Sequence, residues 1–332
     1  MTFIHEHPEF KDLLDIVAAE GPLASAAMVE KDYWICHTLW ALERSGLHFW
    51  FKGGTSLSKA FGIIQRFSED LDLIIENGQL TLPNVTSWRT ETKGATRSRE
   101  EFWQALLDQI DVPGAQLEWN RQHDPSQRNP GFQLHYPGHL TEQLRNPDSI
   151  IKPFVLLEIS HGSVARSARE PSITRPISSA VHDRLAREGQ LDAFVDNRPA
   201  AVECVHPYVT LLEKLDAITR RYARPDDVFD PATFVRHYED AAMIIRSENE
   251  LPPLEIRVLE LAHLMQERGQ IRRLVTPAED AFTLEDDARR RRIEQSYELI
   301  RPMYWGDRIP LDEATEPPWV CRRLQPLRDW SH

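Results

Sequence analysis

The stretch Asp70-Leu71-Asp72-Leu73-Ile74-Ile75 sets two carboxylates inside an otherwise apolar run. A short run of Leu and Ile with this pattern reads as a buried β-strand. Side chains alternate along a strand, so Asp70 and Asp72 share one face with Cα atoms roughly 6.5 Å apart, while Leu71 and Leu73 point into a core. Burying carboxylates without partners is costly, so a pair of them in a core strand points to chemistry. Two carboxylates at this spacing can jointly hold hard divalent cations such as Mg²⁺. Two-metal phosphoryl sites need such oxygen ligands around cations about 3.5–4 Å apart.

Upstream of this pair stands Lys52-Gly53-Gly54-Thr55-Ser56. The pattern predicts a strand over 47–51, a Gly-Gly turn, a helix over 57–65 and the Asp-bearing strand over 70–75. A glycine turn that opens a helix lets backbone N–H groups approach a phosphate, and the helix N-terminus favours the anion. Thr55 and Ser56 add hydroxyl donors. A phosphate cradle followed by a carboxylate pair is the layout of a triphosphate site.

The rest of the chain reads as α+β. Helical periodicity covers 10–17 and 28–42. Residues 77–100 form a polar, irregular excursion, followed by a helix over 102–110. Short strands are expected over 116–119, 131–136 and 154–159, and 161–200 is polar and Arg-rich. Helices dominate from Pro207 onward, over 208–222, 231–246, 254–266 and 280–305. The expected division is a mixed domain over 1–200 and a helical one over 201–332.

Composition narrows the function. Among 332 residues, 39 Lys and Arg stand against 52 Asp and Glu, a net charge of −13. That balance excludes coating nucleic acid by overall charge and leaves room for local basic patches. Two stretches qualify if they are loops: one holds Arg89, Lys93, Arg97 and Arg99; the other holds Arg166, Arg169, Arg175, Arg184 and Arg187. Cys36, Cys204 and Cys321 are too scattered for a disulfide framework or a metal knuckle and read as packing residues. No apolar run approaches the ~20 residues that span a bilayer. The N-terminal MTFIHEHPEF lacks the basic and apolar regions of a signal peptide, so a cytoplasmic protein without membrane contact is expected. His5 and His7 read as disordered, and His37 as a satisfied helix histidine.

The motif GGTSLSKAFGIIQRFSEDLDLII, residues 53–75, resembles the first motif of the AbiEii/MenT group of nucleotidyltransferase-like toxins, within the DNA-polymerase-β-like nucleotidyltransferase superfamily. Glu30-Lys-Asp-Tyr-Trp34 resembles a sequence that precedes this motif in one subfamily. Lys152-Pro-Phe-Val-Leu-Leu-Glu-Ile159 resembles the second element, a strand whose third carboxylate is Glu158. The stretch from Pro207 to Arg221 resembles the helix that carries a nucleotide-contacting lysine, here Lys214. Phe234 to Ala242 resembles the Arg-His/Asp-x-Tyr-Asp helix, with Asp240 at the functional aspartate. Glu239 stands where an aromatic residue is common, so both acids remain candidates.

The resemblance implies a polymerase-β-like nucleotidyltransferase core with a mixed sheet, followed by a helical domain that contributes Lys214 and Asp240 to the active site. Asp70, Asp72 and Glu158 would hold Mg²⁺ or Mn²⁺. Gly53, Gly54, Thr55 and Ser56 would grip the NTP triphosphate, and Lys52, Arg66, Ser68 and Lys214 would offset its charge. Asp240 would orient Lys214 or take a proton from the acceptor. The implied product is an NMP joined to an acceptor, the 3′ end of tRNA in characterised relatives. The setting would be a toxin–antitoxin or phage-defence pair, with a cognate antitoxin as partner. A protein hydroxyl as acceptor, as in AMP-adding enzymes, and a non-catalytic NTP-binding regulator are the competing readings.

Overall fold

The computed structural model describes residues 1–138, 151–165, 171–276 and 278–315. Arg166, Arg169, Cys321 and the Trp-containing tail lie outside these residues. The chain divides into two compact units: Met1–Ala60 with Phe67–Cys204, and Phe61–Arg66 with Val205–His332.

The first unit is built on a seven-stranded mixed sheet. Its strands are β1 (His48–Lys52), β2 (Asp70–Glu76), β3 (Gln116–Asn120), β4 (Gly131–His135), β5 (Val155–His161), β6 (Ser172–Arg175) and β7 (Val202–Val205), in the order β3-β4-β5-β2-β1-β7-β6. The central strand β2 runs antiparallel to β1 and parallel to β5. Its buried Leu71, Leu73 and Ile75 occupy the face opposite the aspartates, as two-residue alternation requires.

Helices α1 (Phe10–Glu20) and α2 (Ala26–Ser45) pack together in this unit. Ser25 caps α2 by accepting from the Met28 amide at 3.3 Å, and Gly46 ends it in the left-handed region at φ 82°. Nearly every α2 side chain from Ala27 to Leu42 is buried, including the charged Glu30, Lys31 and Asp32. A helix buried all round is a core helix, and its charges must find partners inside.

His5 is ordered, contrary to expectation: its Nδ1 lies 2.8 Å from Tyr33 Oη, and its ring stacks on Phe3. His37 is satisfied as expected. Its Nε2 donates to the Pro113 carbonyl at 2.9 Å, and its Nδ1 accepts from Asn197 Nδ2 at 2.8 Å. Asn197 also reaches Tyr33 Oη and His182 Nε2.

Two expectations for local structure change. The helix expected over 57–65 is instead α3 (Gly53–Lys59), which ends early. Gly62 at φ 65° breaks it, and residues 61–66 join the second unit, where Arg66 bridges to Tyr304. The excursion over 77–100 contains most of helix α4 (Lys93–Leu107), nucleated by a Thr92 cap that accepts from the Ala95 amide.

The second unit is helical. Its two long helices, Pro207–Tyr222 and Pro231–Arg246, pack against each other, and each begins on a proline, whose missing N–H is harmless at a helix start. The helix expected over 280–305 is interrupted: Leu284 adopts φ 48°, separating Asp280–Thr283 from Asp287–Leu299. No described helix is long and apolar enough to cross a membrane.

Candidate active site

The register of the first unit's sheet assembles the expected acids. Asp72 on β2 is the cross-strand partner of Lys52 on β1 and of Glu158 on β5. Directly opposed residues project from the same face, so Lys52, Asp72 and Glu158 form one row across three strands. Asp70 stands one step along that face, opposite Leu156.

The Gly-Gly turn closes over this row. Gly53 has φ 76°, and a Cβ built there would lie 1.9 Å from Asp72 Oδ2. The turn backbone therefore rests against the Asp72 carboxylate, a position open only to glycine. Thr55 donates its hydroxyl to the Asp70 carbonyl at 2.5 Å, tying α3 to the start of β2. Thr55 and Ser56 are both buried. Thr55 thus holds the strand, and its hydroxyl is already committed before any phosphate arrives. Ser68 lies half-buried in the connection into β2.

The buried charges of α2 brace the same place. Lys31 is fully buried and donates to Glu69 Oε2 at 2.5 Å and to the Lys152 carbonyl at 2.8 Å. Glu69 Oε2 in turn accepts from the Lys152 amide at 2.8 Å. Burial pushes the Lys31 ammonium down, and Glu69 works against that shift. Asp32 pairs with Lys59 at the end of α3 and accepts from the Ala180 amide at 2.9 Å. Lys31 and Asp32 are thus a brace that fixes the residue before Asp70, the entry to β5 and the far end of α3.

Two partners of the acids carry no clear sequence signal. Lys152 Nζ lies 3.2 Å from Asp70 Oδ1, and His123 Nε2 lies 3.0 Å from Glu158 Oε1. Among the described residues, no three His, Cys, Asp or Glu side chains converge so as to hold a metal ion. The donor chemistry still suits a hard cation: three carboxylates share one sheet face, and Asp70 and Glu158 are part-exposed.

The second unit gathers Arg66, Lys214 and Asp240. Asp240 is 1% exposed and accepts from Arg66 Nε at 2.8 Å, from Arg66 Nη2 at 2.7 Å and from Lys214 Nζ at 2.7 Å. Burial alone would raise its pKa, but the Arg66 and Lys214 charges outweigh that and hold the carboxyl well below the usual range. Arg66 is itself buried and donates to both carboxylate oxygens of Asp240. Among the described residues Arg236, one turn before Asp240 on the same helix, makes no ion pair with it; Asp240 points inward to Arg66 and Lys214.

Glu239 makes a separate buried cluster. Arg308 donates to both its oxygens at 2.8 and 3.0 Å, and Tyr304 Oη donates at 2.5 Å. Burial raises the Glu239 pKa despite these donors. Of the two neighbouring acids, Asp240 is the one that holds Lys214. Arg308 lies on a segment with no motif, so nothing local in the sequence announces it.

Two of the expected basic grips are structural. Arg99 is fully buried on α4 and donates to the carbonyls of Ser126, Ser87 and Thr90. Arg184 pairs with Glu20 and Glu188 on the Ala180–Arg187 helix. Cys36 and Cys204 are buried and free, and burial pushes both thiols up, Cys204 to about 12. Neither is a thiolate nucleophile.

A family model described as nucleotidyl transferase AbiEii toxin, type IV TA system, matches residues 38–316. Among solved structures, the chain is similar to an antigenic nucleotidyltransferase-like protein from Paracoccidioides brasiliensis, at 16% identity and a TM-score of 0.36. That similarity covers 72% of this chain and 89% of the other. No curated protein matches.

Proposed function

The chain belongs to the AbiEii family of nucleotidyltransferase toxins, and from that premise we propose that it transfers an NMP from an NTP to the 3′ end of tRNA, acting as the toxin beside a cognate antitoxin. The observation that carries this reading is the row Lys52–Asp72–Glu158, with Asp70 one step along the same face.

Phosphoryl and nucleotidyl transfer need positioning and charge neutralisation more than covalent chemistry. Asp70, Asp72 and Glu158 would hold Mg²⁺ or Mn²⁺, which supplies charge neutralisation on phosphate oxygens. The backbone at Gly53, already against Asp72, and at Gly54 brings N–H groups toward the triphosphate. Lys52 contributes positive charge from the same row. Lys152, now on Asp70, is a further cation within reach of that face.

In the second unit, Lys214 is the cation assigned to nucleotide phosphate. Asp240 holds its ammonium, and Arg66 holds Asp240. Asp240 is bound by two cations and kept ionised, which suits a positioning role better than a proton-accepting one.

Incubation with total tRNA and each α-labelled NTP in Mg²⁺ or Mn²⁺ tests the reading, with Asp70→Ala as control. Label entering tRNA from the wild type and not from the variant is the expected result. Label confined to protein would replace tRNA with a protein acceptor. Absence of label from every acceptor would remove the transferase reading of this site.

A further inference from the structure

His237 sits on the Pro231–Arg246 helix one turn before Asp240, and both its ring nitrogens are buried with no hydrogen-bond partner among the described residues. A buried imidazole normally satisfies both nitrogens, so this one is an unexplained gap. The charges that act on it are cationic: Lys214, Arg221 and Arg236, opposed by Asp240. Asp240 is already matched by Arg66.

The helix geometry gathers these groups. Lys214 and Arg221 are seven residues apart on the Pro207–Tyr222 helix, so they lie within about 20° of each other around its axis. That helix packs on Pro231–Arg246, where Arg236, His237 and Asp240 fall within about 100° of one another. Arg221 is half-buried and makes no hydrogen bond or ion pair among the described residues. Arg236 makes one long hydrogen bond, 3.3 Å to Thr233 Oγ1. Asp230, the acid that acts on Arg221, is occupied as the cap of its own helix, accepting from the Ala232 and Thr233 amides. The cluster therefore holds an excess of positive charge and an unused imidazole.

We propose that Arg221, Arg236 and His237 form a phosphate-binding site beside the Lys214–Asp240 pair, taking a phosphate of an NTP or of a nucleic-acid backbone. Two guanidinium forks suit tetrahedral oxyanions, and a neutral imidazole adds one N–H donor. The inference rests on the nucleotidyl-transfer reading only for the source of the phosphate.

The test is isothermal titration calorimetry of the full chain with inorganic pyrophosphate, without metal or turnover. Wild type binds, and Arg221→Gln and Arg236→Gln each weaken binding at least tenfold with an unchanged thermal midpoint. Arg221→Lys, which keeps the charge, retains most of the affinity. Absence of pyrophosphate binding by the wild type, or variants that bind as the wild type does, overturns the site. Titrations with NTP and with tRNA at two salt concentrations then identify the source. A loss confined to NTP assigns the triphosphate. A tRNA salt slope reduced by about one per arginine assigns a backbone phosphate. Asp70→Ala, in the other unit, tests nucleotidyl transfer separately, so either idea can fail while the other stands.

Discussion

Arg66 grips Asp240 with two hydrogen bonds, Nε to Oδ1 at 2.8 Å and Nη2 to Oδ2 at 2.7 Å, across 174 positions of sequence. Both side chains are buried, so the pair is a fixed part of the second unit and not a surface contact. Removing Arg66 loses both charge-assisted hydrogen bonds and leaves Asp240 with Lys214 as its remaining cation. Arg66→Ala should therefore destabilise by about 3 kcal/mol, and Arg66→Lys by less, since it keeps charge but loses the fork. Urea unfolding measures both; a change under about 1 kcal/mol for Arg66→Ala would show that the pair is not structural.

Asp70 is part-exposed, and its one named side-chain partner, Lys152, is 41% exposed. Asp70→Ala should leave the fold intact and abolish NMP transfer, a loss of at least about 10³-fold in kcat. Far-UV circular dichroism with a label-transfer assay separates the two effects. Full activity in a folded Asp70→Ala protein would remove the Asp70 assignment.

Gly53→Ala asks whether the turn must touch Asp72. The added Cβ meets Asp72 Oδ2 and adopts a positive φ, so both clash and backbone strain arise. Strain of this kind costs on the order of 1–3 kcal/mol. Transfer should fall further than stability does, because the carboxylate moves. A Gly53→Ala enzyme with unaltered kcat and thermal midpoint contradicts the contact.

Lys31→Met should cost about 3–5 kcal/mol, because Glu69 is left buried without its lysine partner. Adding Glu69→Gln should recover part of that loss. A double-mutant cycle in urea reads the coupling directly. If the second substitution recovers nothing, the brace acts through the Lys152 carbonyl alone.

Acid should weaken the first unit through its buried histidines. Burial lowers His5 and His37 to about 4, and lowers His182 as well. Between the unfolded value near 6.5 and about 4, the unfolded chain binds protons that the folded one refuses. Stability is therefore full above pH 6.5 and falls as pH drops toward 4, by roughly 1–3 kcal/mol per fully buried histidine. Urea midpoints at pH 7, 6 and 5 should decline steadily. A flat profile would mean these imidazoles titrate normally in the folded state.

The Asp-bearing strand was legible because its logic is local. Alternation alone puts Asp70 and Asp72 on one face and Leu71 and Leu73 on the other, and β2 (Asp70–Glu76) has that arrangement. On the Pro207–Tyr222 helix a period of 3.6 sets Lys214 on the flank of the stripe formed by Leu211, Leu215, Ile218 and Tyr222, and there it is buried and paired. The boundary of α3 was less legible, because a positive-φ Gly62 and the attachment of residues 61–66 to the second unit outweigh helix propensity.

Local pattern suffices for the strand–turn–helix–strand order around Gly53, the shared face of the two aspartates, and the helices that carry Lys214 and Asp240. Partnership comes from the tertiary fold. Glu158 meets Asp72 because β5 lies beside β2 in one particular register. Lys31 reaches Glu69, Arg66 reaches Asp240, and Arg308 claims Glu239, each across tens of residues or more. Side-chain periodicity follows from backbone geometry within a few residues, so sequence can state it. Pairing of buried charges follows from which surfaces meet when the core closes, and no local pattern encodes that.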